Sequence, residues 1–206
     1  MQFPKQFVVT GIGTEVGKTV ISSILVQALE ANYWKPVQAG DLEYSDSDKV
    51  RDYAPAGTVL NEAFRLKTPM SPHAAANIDG VKLTLADLTV PEVEGNLVIE
   101  GAGGLMVPLD NDGLTYADVF EAWKLPVVVV SRHYLGSINH TLLTIEALKR
   151  RSIPIAGIIF VGDEHETTEK IIKDNTGVPV LIRIPMSDEV NADFVKEQAE
   201  RLKAVL

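Results

Sequence analysis

Residues Phe7–Thr19, FVVTGIGTEVGKT, join a short apolar, β-branched run to a glycine-rich turn that ends in Gly-Lys-Thr. The apolar run predicts a buried strand, and Val20–Ala31 places its apolar side chains on one face of a predicted helix. Glycines let backbone N–H groups turn toward phosphate oxygens, and the helix that follows directs its positive end at an anion. We therefore predict that Gly11–Thr19 binds the phosphates of a nucleoside triphosphate together with magnesium.

Two side chains of this loop carry its chemistry. Lys18 can reach the terminal phosphates, and the Thr19 hydroxyl can ligate magnesium. The usual pattern has four residues between its first glycine and Gly-Lys-Ser/Thr, whereas five residues separate Gly11 from Gly17 here. Because Ile12 occupies the place of that first glycine, we expect Gly13 to supply the flexibility instead. The alternative is a plain glycine-rich turn, which the flanking strand and helix disfavour.

Composition indicates an acidic globular protein. Hydrophobic residues make up 46% and charged residues 23% of the 206 residues, which suits one domain spanning 1–206. The formal net charge of −9 argues against a nucleic-acid partner, because an acidic surface repels phosphate backbones. The chain has no cysteine, which excludes disulfides and a cysteine nucleophile and suits the cytoplasm. Without a long apolar run or a cleavage signal, we expect neither a membrane span nor a secretory leader.

Short β-rich runs alternate with helical patterns along most of the chain. The later predicted strands are Lys35–Gln38, Asn96–Glu100, Val127–Ser131, Ile155–Val161 and Val180–Ile184. The later predicted helices are Ile138–Arg150, Thr168–Asn175 and Ala192–Val205. This alternation predicts an α/β fold, a parallel β-sheet with Val127–Ser131 near its centre and helices on both faces, as in the three-layer sandwich of P-loop NTPases. The stretch 45–94 contains four prolines and suggests an insertion of short helices and loops.

The runs Lys35–Gly40 and Glu100–Gly104 stand at the carboxyl ends of predicted strands, where parallel sheets bind ligands, and Asp48 lies in an acidic, serine-containing run farther along the chain. Glu100 ends an apolar strand, so we expect it to hold a metal, directly or through water; the alternative is a carboxylate paired with a structural cation. Lys35 can stabilise a transferred phosphate or a carbamate, or it can be an ordinary solvated lysine. Asp48 can ligate magnesium, or its acidic run can simply begin a helix with Ser47 or Asp46 as the cap.

Two further motifs are less specific. Ser71-Pro72-His73 can line a substrate cleft or cap a helix, and His73 alone is a weak candidate for a general base. Gly136–His140 opens a predicted helix, and its free N–H groups can bind a carboxylate. The alternative there is that Ser137 serves only as the N-cap.

Taken in order, the segments GIGTEVGKT, KPVQAG, SPHAAA, VIEGAGGLMVPL and LGSINHTLLTIEAL resemble the dethiobiotin synthetases of biotin biosynthesis, and the resemblance covers nearly the whole chain. Members of that family use ATP, magnesium and CO2 or bicarbonate to close a ureido ring on diaminopelargonate. The resemblance implies that one amine forms a carbamate, that ATP phosphorylates it, and that the second amine then expels phosphate. It also implies a homodimer in which the two subunits share each substrate site.

The resemblance assigns roles to particular residues. It implies that Lys18 and Lys35 are catalytic, and that magnesium is held by Thr19, Asp48 and Glu100. The residues implied to bind ATP are Glu15, Val16, Gly17, Lys18, Thr19, Val20, Asp48, Glu100, Gly101, Ala102, Gly103, Pro185, Met186 and Ser187. Those implied to bind diaminopelargonate are Ala39, Gly104, Leu135, Gly136, Ser137 and Asn139, of which the last four belong to a helix donated across the dimer.

The sequence departs from the family pattern in three places. Ala39 stands where a Ser or Thr is frequent, which removes a hydroxyl contact to the substrate, and Gly13 replaces a frequent Asp. Val161-Gly162 stands where members commonly have an Asn that reads adenine. We therefore expect ATP to be held mostly by its phosphates, with weak selection against other triphosphates.

Other functions also fit a phosphate loop. An ATP-dependent amide-forming synthase of the cobyrinic acid type would carry a glutamine-hydrolysing domain with a cysteine nucleophile, and this chain has no cysteine. A switch ATPase of the partitioning or positioning type would be expected to have a second lysine early in the loop, where Gly11, Ile12 and Gly13 stand. An inactive family member is disfavoured because the lysines and carboxylates named above are all present.

Overall fold

The structure, a computed structural model, describes residues 3–206. Its strands are β1 (Gln6–Gly11), β2 (Asn32–Trp34), β3 (Val37–Ala39), β4 (Thr58–Val59), β5 (Phe64–Leu66), β6 (Leu97–Gly104), β7 (Val127–Arg132), β8 (Ile155–Val161) and β9 (Val180–Ile184). Its helices are α1 (Lys18–Leu29), α2 (Asp46–Tyr53), α3 (Pro72–Asp79), α4 (Tyr116–Trp123), α5 (Ser137–Arg150), α6 (Glu166–Thr176) and α7 (Ala192–Lys203), with a 3-10 turn at Leu85–Asp87.

Seven of the strands form one parallel sheet in the order β4-β2-β6-β1-β7-β8-β9. The middle strand is β1, and β7, which was predicted to be near the centre, pairs directly with it. After β1 the chain crosses to β2, on one side of the central strand. After β7 it continues through β8 to β9, on the other side of the central strand. Because such crossovers are right-handed, α1 covers one face of the sheet while α5 and α6 cover the other. The predicted α/β class with helices on both faces is confirmed.

Apolar side chains at the expected positions hold the layers together. Phe7, Val8 and Val9 of β1 are fully buried, as expected for a strand covered on both faces. Helix α1 buries Ile21 and Leu25, which lie one turn apart on the same side of the helix. The C-terminal helix α7 packs against α1. No helix within residues 3–206 is both long enough and apolar enough to cross a membrane.

The structure differs from the sequence prediction in several details, among them strand β2 and helix α4, which were not predicted. Strand β6 continues through the glycine run to Gly104 instead of ending at Glu100. Lys35 lies in the connection between β2 and β3, so the predicted strand Lys35–Gln38 is displaced. The stretch 45–94 contains two strands, of which β4 extends the edge of the main sheet and β5 pairs with β3 in a separate small sheet. These strands have only two and three residues, too few to show a periodic pattern in the sequence.

Candidate active site

The ends of β1, β2 and β6 open onto a cleft of about 680 Å³. Ligands bind parallel sheets at the carboxyl edge, where the loops after adjacent strands converge. The predicted residues that line the cleft are Glu15, Gly17, Lys18, Thr19, Val20, Lys35, Ala39, Glu100, Ala102 and Gly103. The cleft is also lined by Thr14, Val37, Gln38, Asp41, Asp46, Lys49, Pro69 and Met70. Ser71, for which both a cleft position and a helix cap were considered, lines the cleft and is also the N-cap of α3. The phosphate loop, Lys35 and Glu100 therefore meet in one place, as expected from their positions after strands.

Two glycines give the phosphate loop its shape. Gly17 is the N-cap of α1 and has a φ of 93°, a left-handed conformation that glycine adopts without strain. A Cβ on Gly11 would lie 2.5 Å from Val16 Cγ2 and 2.9 Å from the carbonyl oxygen of Gly13, so this turn needs a glycine there. A Cβ on Gly13 would meet nothing within 4 Å. The positions at which the loop requires glycine are thus Gly11, for space, and Gly17, for its left-handed backbone, whereas the flexibility expected of Gly13 stays a prediction.

Lys18 lies nearly buried inside the loop. Its Nζ donates a hydrogen bond to the carbonyl oxygen of Gly13 at 2.9 Å. Burial lowers the pKa of Lys18 to about 8, although the negative charge of Glu100 acts in the opposite direction. At neutral pH the ammonium is thus mostly charged, and it is weakly solvated and available to an incoming anion.

Lys35 stands between two carboxylates. Its Nζ lies 2.5 Å from Asp46 Oδ2 and 2.9 Å from Glu100 Oε1, and the side chain is buried. Burial acts to lower the pKa of Lys35, but the charges of Glu100 and Asp46 outweigh it and raise that pKa above its ordinary value. Burial likewise acts to raise the pKa of Asp46, and the charge of Lys35 lowers it instead. Lys35 is therefore a permanent cation at neutral pH and not the solvated lysine of the alternative interpretation.

Glu100 is fully buried, and each of its oxygens accepts a hydrogen bond. Oε1 accepts from the Thr19 hydroxyl at 2.9 Å and from the Lys35 ammonium at 2.9 Å. Oε2 accepts from the Tyr33 hydroxyl at 3.0 Å. Burial and the charge of Glu100 raise the pKa of Tyr33 well above its ordinary value, so this phenol stays protonated and donates. The alternative interpretation of Glu100 was a carboxylate paired with a cation. That pairing is present, and the cation is Lys35.

Oxygen donors suited to magnesium meet at this point of the cleft. They are the hydroxyl of Thr19 and the carboxylates of Asp46 and Glu100. Magnesium prefers oxygen ligands and is usually held through one or two carboxylates together with substrate phosphates. Within residues 3–206 no three His, Asp or Glu side chains cluster closely enough to form a metal cage of their own. The donor set fits a magnesium ion that arrives with a nucleotide.

Asp48, the predicted magnesium ligand, does not line the cleft. Its carboxylate accepts hydrogen bonds from the backbone N–H and the hydroxyl of Ser45, and it pairs with Arg51 Nη1 at 2.6 Å. These bonds close a capping box at the start of α2. Asp46, the first residue of α2, reaches the cleft instead, and the prediction is corrected accordingly. The pattern Ser-x-x-Asp from Ser45 to Asp48 is itself a capping-box signal and could have identified the right carboxylate.

Two further polar residues of the cleft, Gln38 and Lys49, were not predicted from the sequence. Gln38 Nε2 donates to the carbonyl oxygen of Gly40, and Gln38 Oε1 accepts from the backbone N–H of Asp46 at 3.4 Å. Lys49 Nζ lies 3.6 Å from Asp46 Oδ1. Gln38 belongs to the segment KPVQAG, of which the lysine and Ala39 were assigned to the site. It connects β3 to the start of α2 and so helps to hold Asp46 toward the cleft.

The predicted substrate residues Leu135, Gly136, Ser137 and Asn139 lie outside the cleft of their own chain. They stand at the start of α5, where Gly136 is the N-cap with a φ of 105° and no side-chain cap bond. Ser137 is therefore the first helical residue and not the N-cap of the alternative interpretation. Helix α5 borders a second groove of about 410 Å³, which also contains the predicted substrate residue Gly104.

The remaining predicted residues surround the loop and the neighbouring strands. Val16 and Gly101 are buried beneath the cleft surface. Val161, at the end of β8, packs under the phosphate loop, with its methyl groups 3.6 and 3.7 Å from the position of a Cβ on Gly17. Pro185–Ser187 follows β9, the strand beside β8. Val161 thus supports the phosphate loop by packing, at the position where an Asn that reads adenine was expected.

Comparison with known proteins adds a family to this geometry. A family model described as an AAA domain matches residues 5–193. The chain is 56% identical over 202 residues to the ATP-dependent dethiobiotin synthetase BioD of Christiangramia forsetii, with 97% of each chain covered. It is 53% identical over 188 residues to the protein of the same name from Rhodopseudomonas palustris, with 90% of each covered. A solved ParA family ATPase from Chlorobium tepidum shares the fold, with a TM-score of 0.57 at 14% identity over 98% of this chain and 91% of that one.

Proposed function

The chain belongs to the family of ATP-dependent dethiobiotin synthetases, and we propose that the cleft around Lys35 is where its reaction takes place. The enzyme is an ATP-dependent ligase that closes the ureido ring of dethiobiotin on diaminopelargonate with CO2. The observation that carries the proposal is the position of Lys35, a buried cation that contacts Asp46 and Glu100 in the cleft formed by the phosphate loop. This arrangement suits a reaction in which two anions, a carbamate and a triphosphate, must approach each other.

The reaction divides into three bond-forming steps. One amine nitrogen of diaminopelargonate adds to the carbon of CO2 and loses a proton, which gives a carbamate. A carbamate oxygen then bonds to the γ-phosphorus of ATP while the bond to the ADP oxygen breaks, which gives a carbamic–phosphoric anhydride. The second amine attacks the carbonyl carbon, phosphate leaves with that carbamate oxygen, and the amine proton passes to solvent. ATP thereby converts a poor leaving group into a good one.

The two lysines provide positive charge at different points of this sequence. Lys18 belongs to the phosphate loop and stabilises charge on the β- and γ-phosphates. Lys35 keeps its proton because its pKa is raised, so it stabilises the carbamate and the transferring phosphoryl group and does not act as a base. A fixed cation in a dry site is more effective than one in water, since the surrounding dielectric is low.

Magnesium would be held by Thr19, Asp46 and Glu100 together with phosphate oxygens. When bound, the ion supplies positive charge that polarises the phosphoryl group. The contacts of Glu100 with Thr19 and Lys35 support this assignment, because the carboxylate already faces the hydroxyl of the phosphate loop. Asp46 enters the proposed ligand set in place of Asp48 because only Asp46 lines the cleft.

The substrate carboxylate would bind the start of α5 from a second subunit. A helix N-terminus presents unpaired N–H groups and attracts anions, but residues 135–139 do not line the cleft of their own chain. Exposed apolar side chains around α5 support a homodimer, because monomers rarely expose such a patch. These side chains are Met106, Leu135, Ile138 and Leu143, of which Leu135 is 103% exposed. Each dimer would then contain two shared substrate sites.

The nucleoside would lie near Pro185–Ser187, which follows β9. Val161 offers no hydrogen bond to a base and is already packed against the phosphate loop, which supports weak base selection. That weak selection and a cytoplasmic location, which the cysteine-free composition suits, stay predictions.

Replacing Lys35 tests the assignment. We expect Lys35→Ala to bind a non-hydrolysable ATP analogue nearly as well as the unsubstituted protein, while dethiobiotin formation falls by at least about 100-fold. Thermal unfolding of both proteins is the control, because the substitution leaves Asp46 and Glu100 without their shared cation. Equal losses of nucleotide binding and ring closure would assign Lys35 to nucleotide binding instead.

A further inference from the structure

Tyr33 does not line the cleft, yet its hydroxyl contacts the carboxylate at the centre of the site. Tyr33 and Glu100 are both fully buried, and Tyr33 Oη donates to Glu100 Oε2 at 3.0 Å. This is the only hydrogen bond that Glu100 Oε2 accepts within residues 3–206. Strand β2 carries Tyr33 beside β6, with Tyr33 opposite Val98 in the parallel register. Both side chains are therefore held by paired strands of the sheet and not by a loop.

The hydroxyl has no role in packing. A phenylalanine would fill the same space, and burying a phenol oxygen costs free energy unless the group is hydrogen-bonded. The terminal torsion of a glutamate is broad, so a carboxylate held at one oxygen only can turn about its axis. Glu100 is held at both oxygens, since Thr19 and Lys35 bind Oε1 while Tyr33 binds Oε2. The plane of the carboxylate is thereby fixed, with Oε1 toward the cleft.

We propose that Tyr33 is a positioning residue, which orients Glu100 so that Oε1 is presented to the magnesium ion of the bound nucleotide. The inference rests on the proposed role of Glu100 as a magnesium ligand. Groups that orient a metal ligand contribute to metal affinity although they never touch the ion. Loss of the Tyr33 hydroxyl would therefore reduce the gain in nucleotide affinity that magnesium provides. It would leave the affinity for the nucleotide without magnesium unchanged.

Calorimetry on Tyr33→Phe separates these effects. The dissociation constant of a non-hydrolysable ATP analogue is measured with magnesium and again with EDTA, and the ratio gives the gain due to the metal. We expect the value in EDTA to be unchanged and the gain due to magnesium to fall by about tenfold in Tyr33→Phe. Tyr116→Phe is the matched control, because the Tyr116 hydroxyl is equally buried but makes no hydrogen bond to Glu100. The gain in affinity due to magnesium is expected to be the same in Tyr116→Phe as in the unsubstituted protein.

A double substitution shows whether Tyr33 acts through Glu100. In a Glu100→Gln background, Tyr33→Phe is expected to cause no further loss of the gain due to magnesium. An unchanged gain in Tyr33→Phe would overturn the inference, and so would a Tyr33→Phe chain that does not fold, since the hydroxyl would then serve the fold. If Glu100→Gln alone keeps the full gain, the proposed metal role of Glu100 fails instead, and the two failures are thus distinguishable.

Discussion

At the scale of single residues, the cleft is organised around one buried carboxylate. Glu100 lies under the phosphate loop and is held by Thr19, Lys35 and Tyr33. A buried carboxylate without partners would be strongly unfavourable, so these donors are what allow a charge at this depth. The second carboxylate, Asp46, reaches the same cation from α2. Both acids are thus paired with Lys35, at the place where the proposed magnesium ion would bind.

Paired substitutions in α2 test which aspartate belongs to the site. Asp46→Asn is expected to reduce magnesium-dependent turnover by more than the roughly 10–100-fold that loss of an outer partner costs, because a direct ligand is removed. Asp48→Asn is expected to leave turnover nearly unchanged and to lower the free energy of unfolding by about 1 kcal/mol, because only the helix cap is weakened. Steady-state kinetics and urea unfolding measure both effects. The reverse pattern would return the metal ligand to Asp48.

At the scale of elements, the phosphate loop and α1 form one anion-binding unit. Gly17 caps the helix with a left-handed backbone, and Glu15 also has a positive φ, of 57°. Arg132, at the end of β7, donates from Nη1 to the carbonyl oxygen of Glu15 at 3.1 Å. A carbonyl held outward in this way leaves the following N–H groups free to face an anion. The neighbouring strands therefore help to set the conformation of the loop.

Alanine substitutions at Gly11 and Gly13 are expected to differ in their effects on ATP binding and stability. Gly11→Ala is expected to abolish tight ATP binding and to cost about 1–3 kcal/mol of stability, because the new Cβ would overlap Val16 and the Gly13 carbonyl oxygen. Gly13→Ala is expected to change neither property by much, because its Cβ points into open space. Nucleotide binding by calorimetry and thermal unfolding provide the comparison. Equal tolerance at both positions would contradict the described packing of the loop.

The elements that the sequence predicted best are those with a long apolar pattern. Ile155–Val161 and Val180–Ile184 were predicted with the bounds that the structure has, since each is a clear apolar run between helices. Strands β4 and β5 could not be predicted, because they are very short and form only through pairing with distant strands. The choice between Asp46 and Asp48 failed for a related reason. The spacing Ser45-x-x-Asp48 indicates a helix cap, but the packed structure is what shows the carboxylate of Asp46 in the cleft.

At the scale of the whole molecule, one chain supplies the nucleotide half of the proposed site. The residues expected to bind the substrate carboxylate stand at the start of α5, outside that cleft, beside exposed apolar side chains. The similarity to a ParA family ATPase, at 14% identity, concerns the fold and does not revive the switch interpretation. A homodimer would supply the missing half from a second copy of α5.

Mixing two inactive variants tests this sharing. Lys35→Ala disables the nucleotide half of a site, while Asn139→Glu adds a negative charge at the start of α5 that should repel the substrate carboxylate. Each variant alone is expected to be nearly inactive. After subunit exchange, an equal mixture is expected to recover about one quarter of the normal activity, because half of the dimers carry one intact site. If each site lies within one chain, the mixture stays inactive. Asn139→Asp and Asn139→Gln are the controls, because they show whether the added charge causes the loss of activity in Asn139→Glu.

Phosphorylation of a carbamate in the cleft around Lys35 is the central step of the proposed reaction. It is tested most directly by following oxygen atoms from ¹⁸O-labelled CO2 in a reaction with diaminopelargonate and magnesium–ATP. Each turnover is expected to place one labelled oxygen in the released phosphate and to retain the other in the ureido carbonyl group of dethiobiotin. Phosphate without label, or ADP release that does not require the diamine, would contradict it.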